Sequence, residues 1–326
     1  MKWKLMTDEA ISRDQREVLS DFVLNEDKLT QGPVVKEFEK AWSEWLGCKY
    51  SVFVNSGSSA NLAITRALSG IEQKPLWVSQ ACTWATAVTP IMQFARLQFP
   101  AITDELISLC EKYGVTLVED CCESHGASFK GKKVGTFGIA SSFSFYYGHH
   151  MTTMEGGMIC TDDENLYHEL LLLRSHGLLR ELPEEEQKKR VSNRVDLHAK
   201  LGLLQLPNLD SAIEERNENF SLFLRKLDPE SFRTDFDVEG CSNFAFPIFT
   251  KNNNIDDIKN LLRENDVEYR PCIAGNLYEH PFMNFVEQSR FDKNANEIHN
   301  NCIYIGNHKD ITHDMITDIC EKLNRL

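Results

Sequence analysis

The sequence predicts an α/β protein with a large, mostly parallel sheet domain and a smaller α+β domain at its C-terminal end. Two segments in the first half, residues 51–68 and 102–120, each combine a helical pattern with a short apolar strand. This alternation is typical of crossover connections that cover a parallel sheet. From about Cys241 onward, short β-runs alternate with helical segments. We therefore expect a large domain over residues 1–210, then a long connecting helix and a small domain over residues 211–326.

The first strand-to-helix segment reads SVFVNSGSSANLAITRAL. An apolar run ends at Val54, a Ser/Gly turn follows, and a helical pattern continues to Leu68. The N–H groups that such a turn exposes at a helix N-terminus suit a phosphate. An ordinary serine N-cap explains the same pattern equally well.

The second segment starts with ITDELISLCEKYG, in which we expect Thr103 to cap a helix and Gly114 to end it. The apolar strand VTLVED follows, and Asp120 lies at its carboxyl end, where ligands bind in open α/β sheets. Capping of the next turn is the alternative role for this carboxylate. Farther along, GTFGIASSFSFYY is predicted to form a turn and a strand that contains Ser144, five residues before His149.

The remainder of the chain is predicted to begin with a long helical stretch from Asp196 that bends near Pro207. Beyond it, the β-runs FAFPIF, VEYRP and CIYIG alternate with helices predicted around residues 256–264 and 314–323.

The composition argues against several classes of partner. A formal net charge of −14, without a basic patch, disfavours binding to nucleic acids or anionic membranes. Neither a signal-peptide pattern nor a run of 18 apolar residues occurs, so we expect a cytoplasmic protein with no membrane segment. The absence of a Cys-x-x-Cys pair leaves little support for a metal or iron–sulfur site.

Five features together indicate a site for pyridoxal phosphate. They are the Ser/Gly turn at a helix start, Trp84 after an apolar run, Asp120 at a strand end, Ser144 and His149. The phosphate, the ring face and the pyridine nitrogen of this cofactor each require one of these side-chain types. A carboxylate keeps the nitrogen protonated, and the protonated ring then stabilises a carbanion beside it.

Six stretches, in order along most of the chain, resemble the DegT/DnrJ/EryC1/StrS family of sugar aminotransferases and dehydratases. They are NSGSSANL, CTWATA, VEDCCESHGA, GTFGIASSFSFYYGHHMTTMEGGMICTDD, LLRSHGLLRELP and LGLLQLPNLD. The resemblance implies the aspartate aminotransferase fold (type I, PLP-dependent). It also implies a homodimer with active sites shared between the subunits.

Most members of this family have, at the position of His149, a lysine that links covalently to the cofactor. An imidazole cannot form that link, and the same departure is seen in the 3-dehydratases of the family. The resemblance therefore implies an untethered cofactor, with His149 as the base and acid that removes the C3 hydroxyl of a nucleotide-linked 4-keto-6-deoxy sugar. GDP-4-keto-6-deoxy-D-mannose is the favoured substrate, in a pathway to deoxysugars of lipopolysaccharide O-antigens. L-Glutamate would restore pyridoxamine phosphate.

Two alternatives stay open: a nucleotide-sugar aminotransferase of the same family, and a cofactor-binding relative without catalytic activity.

The resemblance also implies roles for individual residues. Trp84 would stack on the ring, Asp120 would pair with its nitrogen, and Glu123 would lie near its hydroxyl. The phosphate would be bound by Gly57, Ser58, Ser59 and Ser144. Contacts with the sugar nucleotide or glutamate would come from His176, Arg180, Asn193, Arg270 and Asn276.

Simpler interpretations remain for several of these residues. Trp84 also fits a core position, and His176 fits a hydrogen-bonded turn. Arg270 and Asn276 also fit an ordinary surface loop, and His150 is expected to be a bystander.

Two junctions are shorter than in the family pattern. Only Gln98 separates Leu97 from the stretch beginning at Phe99, where the family has a further strand and helix. The four residues VSNR, 191–194, replace a loop with a Tyr-Asn-x-Arg element that a neighbouring subunit inserts. Because a strand removed from a parallel sheet leaves backbone groups unpaired, we expect these segments to be missing from the sequence rather than deleted from the protein. If the deletions are real, activity is in doubt.

Overall fold

The computed structural model describes residues 2–26, 29, 33–69, 76–79, 83–94, 96–98, 106–174, 196–280, 283 and 293–326. The chain divides into two compact units. One unit, called the first unit here, contains Asp8–Lys74 and Asp104–Asp210. The second unit contains Met1–Thr7, Pro75–Thr103 and Ser211–Leu326.

The helices in the described part of the chain are α1 (Arg13–Asn25), α2 (Pro33–Leu46), α3 (Gly57–Ser69), α4 (Ala85–Phe94), α5 (Leu106–Tyr113), α6 (Glu164–Arg174), α7 (Asp196–Gln205), α8 (Leu209–Lys226), α9 (Ile255–Glu264), α10 (Lys293–Asn301) and α11 (His313–Leu323). The strands are β1 (Tyr50–Val54), β2 (Leu76–Val78), β3 (Arg96–Gln98), β4 (Val118–Asp120), β5 (Ser128–Phe129), β6 (Lys132–Lys133), β7 (Ala140–Ser144), β8 (Gly157–Thr161), β9 (Ala245–Phe249), β10 (Tyr269–Pro271) and β11 (Cys302–Gly306).

The first unit is built on a four-stranded sheet with the order β1-β8-β7-β4. β4 pairs with β7 in parallel, whereas β8 runs antiparallel to both of its neighbours. Strands β1, β7 and β4 therefore share one direction, as predicted, and β8 is the exception. Because β1 and β7 run the same way, they end at one edge of the sheet, and Val54 and Ser144 are both opposite Gly157.

Both faces of this sheet are covered, which explains why β1, β7 and β8 are buried almost throughout. On one face, Val52 and Val54 pack in a cluster with Ile64 of α3 and Leu170 of α6. On the other face, Phe53 packs edge-to-face against Phe38 of α2, with ring centroids 5.2 Å apart. Successive strand residues thus contact opposite layers, as period-two geometry requires.

The second unit has a small α+β core, as predicted. Its antiparallel sheet has the order β10-β11-β9 and packs with α8, α9 and α11. The N-terminal segment joins it, because Trp3 bridges to Val267 and its Nε1 donates to Gly306 O at 2.9 Å. β2 and β3 form a separate parallel pair.

Several predicted boundaries are confirmed. The helix around residue 110 ends at Gly114, which has a φ of +63°, and a 3-10 turn over Leu206–Asn208 separates α7 from α8 at Pro207. Three predicted features lie outside the described residues: Thr103, the continuation of the first short junction after Gln98, and the second junction at 190–194. No helix among the described residues is long and apolar enough to span a membrane. Localisation in the cytoplasm stays a prediction.

Candidate active site

The Ser/Gly turn joins β1 to the start of α3 in the first unit. Ser56 caps the helix: its Oγ accepts a hydrogen bond from Ser59 N at 3.1 Å, and its carbonyl accepts one from Ala60 N at 3.0 Å. The N–H groups of Gly57 and Ser58 belong to the first turn, where the helix itself offers no acceptor. This end of α3 therefore presents backbone donors and the positive end of the helix dipole.

Gly57 sits where no side chain fits. A Cβ there would lie 2.6 Å from Ser144 Cβ and 2.8 Å from Cys122 Sγ. The start of α3 is thus in close contact with the end of β7 and with the residues after β4. The structure therefore brings together the predicted phosphate-binding residues around Gly57 and Ser144, which are far apart in the sequence.

Asp120 is the last residue of β4, and its carboxylate is held on both oxygens. Asn61 Nδ2 donates to Oδ2 at 2.9 Å, and Cys122 N donates to Oδ1 at 3.2 Å. The amide of Asn61 is itself held by Ser142, whose Oγ donates to Asn61 Oδ1 at 2.6 Å. Sequence reasoning missed both Asn61 and Ser142. The signal was present, because Asn61 lies one helical turn after Gly57 and Ser142 alternates with Ser144 on one face of β7.

His149 lies in the loop after β7, with its side chain mostly buried. Its Nδ1 is 3.0 Å from Ser144 O, and its backbone N donates to Tyr146 O at 3.0 Å. Because a carbonyl only accepts, Nδ1 carries the proton of the neutral ring and Nε2 carries the lone pair.

The environment of His149 also favours the neutral ring. Burial lowers the pKa of His149 below its ordinary value, and the Ser144 carbonyl and the charge of Asp120 oppose this effect only in part. A neutral imidazole with an unprotonated Nε2 is the form that acts as a base.

Glu123 faces His149, with 4.0 Å between Oε1 and Nε2. Burial raises the pKa of Glu123 to about 7, and repulsion by Asp120 adds to the increase. The separation exceeds a hydrogen bond, so a proton passes between the two groups only after a small approach or through one water. Glu123 and His149 are thus two neighbouring titratable groups, and burial favours the neutral form of each.

The adjacent His150 faces a different environment. It is buried, and its ring lies 5.2 Å from that of His125, which is fully enclosed. The ring of His125 also lies 6.3 Å from the ring of His149 and 5.6 Å from that of Trp42. His150 therefore packs in the aromatic layer beneath the loop, whereas His149 faces the carboxylates.

Of the other predicted residues, three belong to the second unit and three lie outside the described residues. Trp84 belongs to the second unit, where it precedes α4 and is 45% exposed. Arg270 is exposed on β10. Asn276 is buried and caps a 3-10 turn: its Oδ1 accepts from Tyr278 N at 3.0 Å, and its Nδ2 donates to Asn296 Oδ1 at 2.7 Å. These contacts give Asn276 a structural role. His176, Arg180 and Asn193 lie outside the described residues.

Comparison with known proteins identifies the family of this chain. The model of the DegT/DnrJ/EryC1/StrS aminotransferase family matches residues 10–101 and 98–324. The chain is 29% identical to GDP-4-keto-6-deoxy-D-mannose 3-dehydratase of Yersinia pseudotuberculosis, over 88% of this chain and 90% of the relative. That alignment spans 354 residues, more than the 326 of this chain, so the relative has internal residues without a counterpart here. This agrees with the short junctions seen in the sequence.

Similarity also extends to a sugar transaminase and to solved structures. UDP-4-amino-4,6-dideoxy-N-acetyl-beta-L-altrosamine transaminase of Campylobacter jejuni is 27% identical over 69% of this chain and 71% of that protein. A crystal structure of GDP-4-keto-6-deoxymannose-3-dehydratase with a trapped PLP–glutamate geminal diamine has a TM-score of 0.86 and 26% identity, covering 98% of this chain and 99% of the other. The chain therefore has the aspartate aminotransferase fold and belongs to the DegT/DnrJ/EryC1/StrS aminotransferase family.

Proposed function

We propose that this chain is a PMP/PLP-dependent 3-dehydratase that removes the C3 hydroxyl of a nucleotide-linked 4-keto-6-deoxy sugar, with GDP-4-keto-6-deoxy-D-mannose favoured. The observation that carries the proposal is His149. By the family resemblance it stands where most members have the lysine that links to the cofactor, and the bond at Nδ1 leaves the Nε2 of the neutral ring unprotonated, 4.0 Å from Glu123 Oε1. Similarity to dehydratases that act on this sugar supports the choice of substrate.

The residues of the first unit fit the cofactor. Gly57 lets the start of α3 pack closely against Ser144, and the backbone N–H groups of this helix N-terminus suit a phosphate. Asp120 is exposed, and each of its oxygens keeps acceptor capacity beyond the one hydrogen bond from Asn61 or Cys122. We assign the phosphate to Gly57, Ser58, Ser59 and Ser144, and the pyridine nitrogen to Asp120. Stacking by Trp84 on the ring stays a prediction.

When bound, the cofactor supplies an electron sink that stabilises negative charge beside its ring. Asp120 holds a proton at the pyridine nitrogen and so keeps the ring in its electron-withdrawing form. In its neutral form, the His149 ring accepts one proton at Nε2. The protonated ring then delivers this proton to the hydroxyl oxygen that leaves C3 of the sugar. Positioned proton transfer of this kind contributes typically about 10²- to 10⁴-fold to the rate.

Glu123 lies near Nε2 of His149 and supports this proton transfer. Because the pKa of Glu123 is raised to about 7, a substantial fraction of its carboxyl groups stays protonated near neutral pH. A protonated Glu123 does not charge the site further, whereas an ionised Glu123 stabilises His149 after it accepts a proton. Glu123 therefore accommodates both protonation states of His149.

The absence of a lysine separates this activity from transamination. A lysine at position 149 would recapture the cofactor covalently and release the sugar early, whereas an imidazole leaves the sugar bound long enough for the C3–O bond to break. The second candidate is a nucleotide-sugar aminotransferase, which the transaminase relatives favour. Regeneration of the amine form by L-glutamate and a homodimer with shared active sites complete the proposal, and the dehydratase structure with a PLP–glutamate adduct supports the former.

Product analysis tests the proposal. The protein is loaded with pyridoxamine phosphate and incubated with L-glutamate and a panel of nucleotide-linked 4-keto-6-deoxy sugars, including the GDP-linked mannose derivative. We expect ammonia and a 3-deoxy-4-keto sugar by mass spectrometry. An amino sugar that retains its C3 hydroxyl would instead identify an aminotransferase.

A further inference from the structure

Two cysteines of the first unit meet at one serine hydroxyl, at the end of β1 away from Gly57. Cys48 precedes β1, and its Sγ lies 3.7 Å from Ser51 Oγ. Cys160 is opposite Ser51 in the β1–β8 ladder, and its Sγ lies 3.5 Å from the same oxygen. Both cysteines are free thiols. The cluster therefore holds two sulfur atoms on either side of Ser51.

The two thiols differ in access and in charge. Cys160 is fully buried, and burial raises the pKa of its thiol well above the ordinary value. Cys48 is half-buried, and a hydrogen bond from the Cys160 thiol, with smaller contributions from Ser51 and Ser43, lowers the pKa of Cys48 to about 7 although burial opposes this. Cys48 is therefore the nucleophile of the pair, and Cys160 is a neutral neighbour in contact with it.

Cys48 is reachable from solvent. It lines a surface cavity of about 520 Å³, in which three cations, Lys36, Lys40 and Lys49, accompany it. The negative groups facing the same region are Glu39, which pairs with buried Arg174, Glu44, which lies 3.7 Å from Lys40, and Asp162, which accepts from Lys49 N. Tyr50 and Tyr167 stack at 4.5 Å and form the apolar wall. Glu39 and Glu44 are thus compensated by basic groups, whereas Asp162 opposes ionisation of the Cys48 sulfur.

We infer that Cys48 is a modification site: hydrogen peroxide oxidises its sulfur, and Cys160 then converts the product to a disulfide. The Cys48 thiolate attacks one peroxide oxygen, an S–O bond forms as the O–O bond breaks, and the hydroxide that leaves is protonated to water. The Cys160 sulfur then attacks the Cys48 sulfur, an S–S bond forms, and the S–O oxygen leaves as a second water. Two thiols lose two electrons and the peroxide gains them. The inference does not depend on the proposed function.

The first test measures reactivity in the wild-type chain. Each cysteine is alkylated with iodoacetamide over a range of pH, and its rate is followed by peptide mass spectrometry. Cys110 on α5, also half-buried, is the internal control. We expect the rate at Cys48 to reach half its maximum near pH 7, whereas an ordinary thiol does so near about 8.5. A midpoint for Cys48 no lower than that for Cys110 would overturn the inference.

The second test measures the product. After treatment with hydrogen peroxide in a small excess, we expect a cross-linked peptide pair containing Cys48 and Cys160, which dithiothreitol releases. In Cys160→Ser, Cys48 should instead be trapped by dimedone as a sulfenic acid, and the Cys110→Ser control should cross-link as the wild type does. Oxidation of Cys48 directly to the sulfonic acid in the wild type, or no oxidation at all, would contradict the assignment of Cys160.

Discussion

Asn61 gives the sharpest structural prediction, because its side-chain amide bonds Asp120 and Ser142 in the candidate cofactor site. In Asn61→Ala the Asp120 carboxylate loses the 2.9 Å hydrogen bond from Nδ2, and the Ser142 hydroxyl loses its 2.6 Å acceptor. A hydrogen bond to a charged group contributes about 1.5–3 kcal/mol. Asp120 is exposed, so water replaces part of this energy and the low end, ~1.5 kcal/mol, applies. We therefore expect Kd for pyridoxal phosphate to rise about tenfold.

The assay is a fluorescence titration with pyridoxal phosphate, combined with a urea unfolding curve for each variant. Ser142→Ala keeps the bond between Asn61 and Asp120 and removes the hydrogen bond that orients the Asn61 amide. We therefore expect a smaller loss in the free energy of cofactor binding, about 0.5–1 kcal/mol. The matched control is Asn300→Ala on α10, where an exposed amide donates to Asn296 O of its own helix. If Asn61→Ala folds normally and binds the cofactor as tightly as Asn300→Ala does, Asp120 does not contact the cofactor as proposed.

Three further predictions concern the charged groups of the first unit. Glu123 has a raised pKa in the folded state, so its contribution to stability is fully present below about pH 4.5 and is lost as the pH rises towards 7. Glu123→Gln should therefore stabilise the protein at pH 8 but not at pH 4.5, by about 1 kcal/mol once solvent screening of this partly exposed group is allowed for, as measured by urea unfolding. Arg174→Met should leave the buried Glu39 carboxylate uncompensated and cost about 3–5 kcal/mol in the free energy of unfolding. His149→Lys should abolish dehydration and create a covalent link to pyridoxal phosphate, visible as a new absorbance band and as a mass increase after borohydride reduction.

Each of these predictions has a control and a contrary outcome. Glu155→Gln, at an exposed carboxyl in the loop before β8, is the matched control for Glu123→Gln, and an equal effect of both variants would contradict the special environment of Glu123. Arg13→Met, in an exposed pair with Glu17, should cost less than about 1 kcal/mol. Dehydration at the wild-type rate in His149→Lys would exclude His149 from the chemistry.

Local patterns in the sequence predicted the strand-to-helix units, the end of α5 at Gly114 and the bend at Pro207, because each depends on residues that are close in the chain. The pairing of β8 between β1 and β7 and the attachment of Trp3 to Gly306 depend on contacts between distant residues, which periodicity does not encode. The grouping of residues 75–103 with the second unit likewise depends on contacts between residues that are distant in the sequence.

For the candidate site too, the sequence predicted residue types but not the contacts between distant residues. His149, Asp120 and the Ser/Gly turn stand out as residue types at strand and helix ends, and the structure places them in one unit. The network from Ser142 through Asn61 to Asp120 was missed because a hydrogen-bond partner is recognised only once the register of β7 against α3 is known. The tautomer of His149 likewise depends on the position of one carbonyl, that of Ser144.

The central claim is that Nε2 of His149 moves protons beside a cofactor that is not covalently attached. The most direct measurement is hydrogen–deuterium exchange at the C4′ carbon of pyridoxamine phosphate in D2O, with substrate present, in the wild type and in His149→Asn. We expect exchange to slow by about 10²- to 10⁴-fold in His149→Asn while cofactor affinity stays within a few-fold of the wild type. Exchange at the wild-type rate in a fully loaded His149→Asn protein would contradict the account.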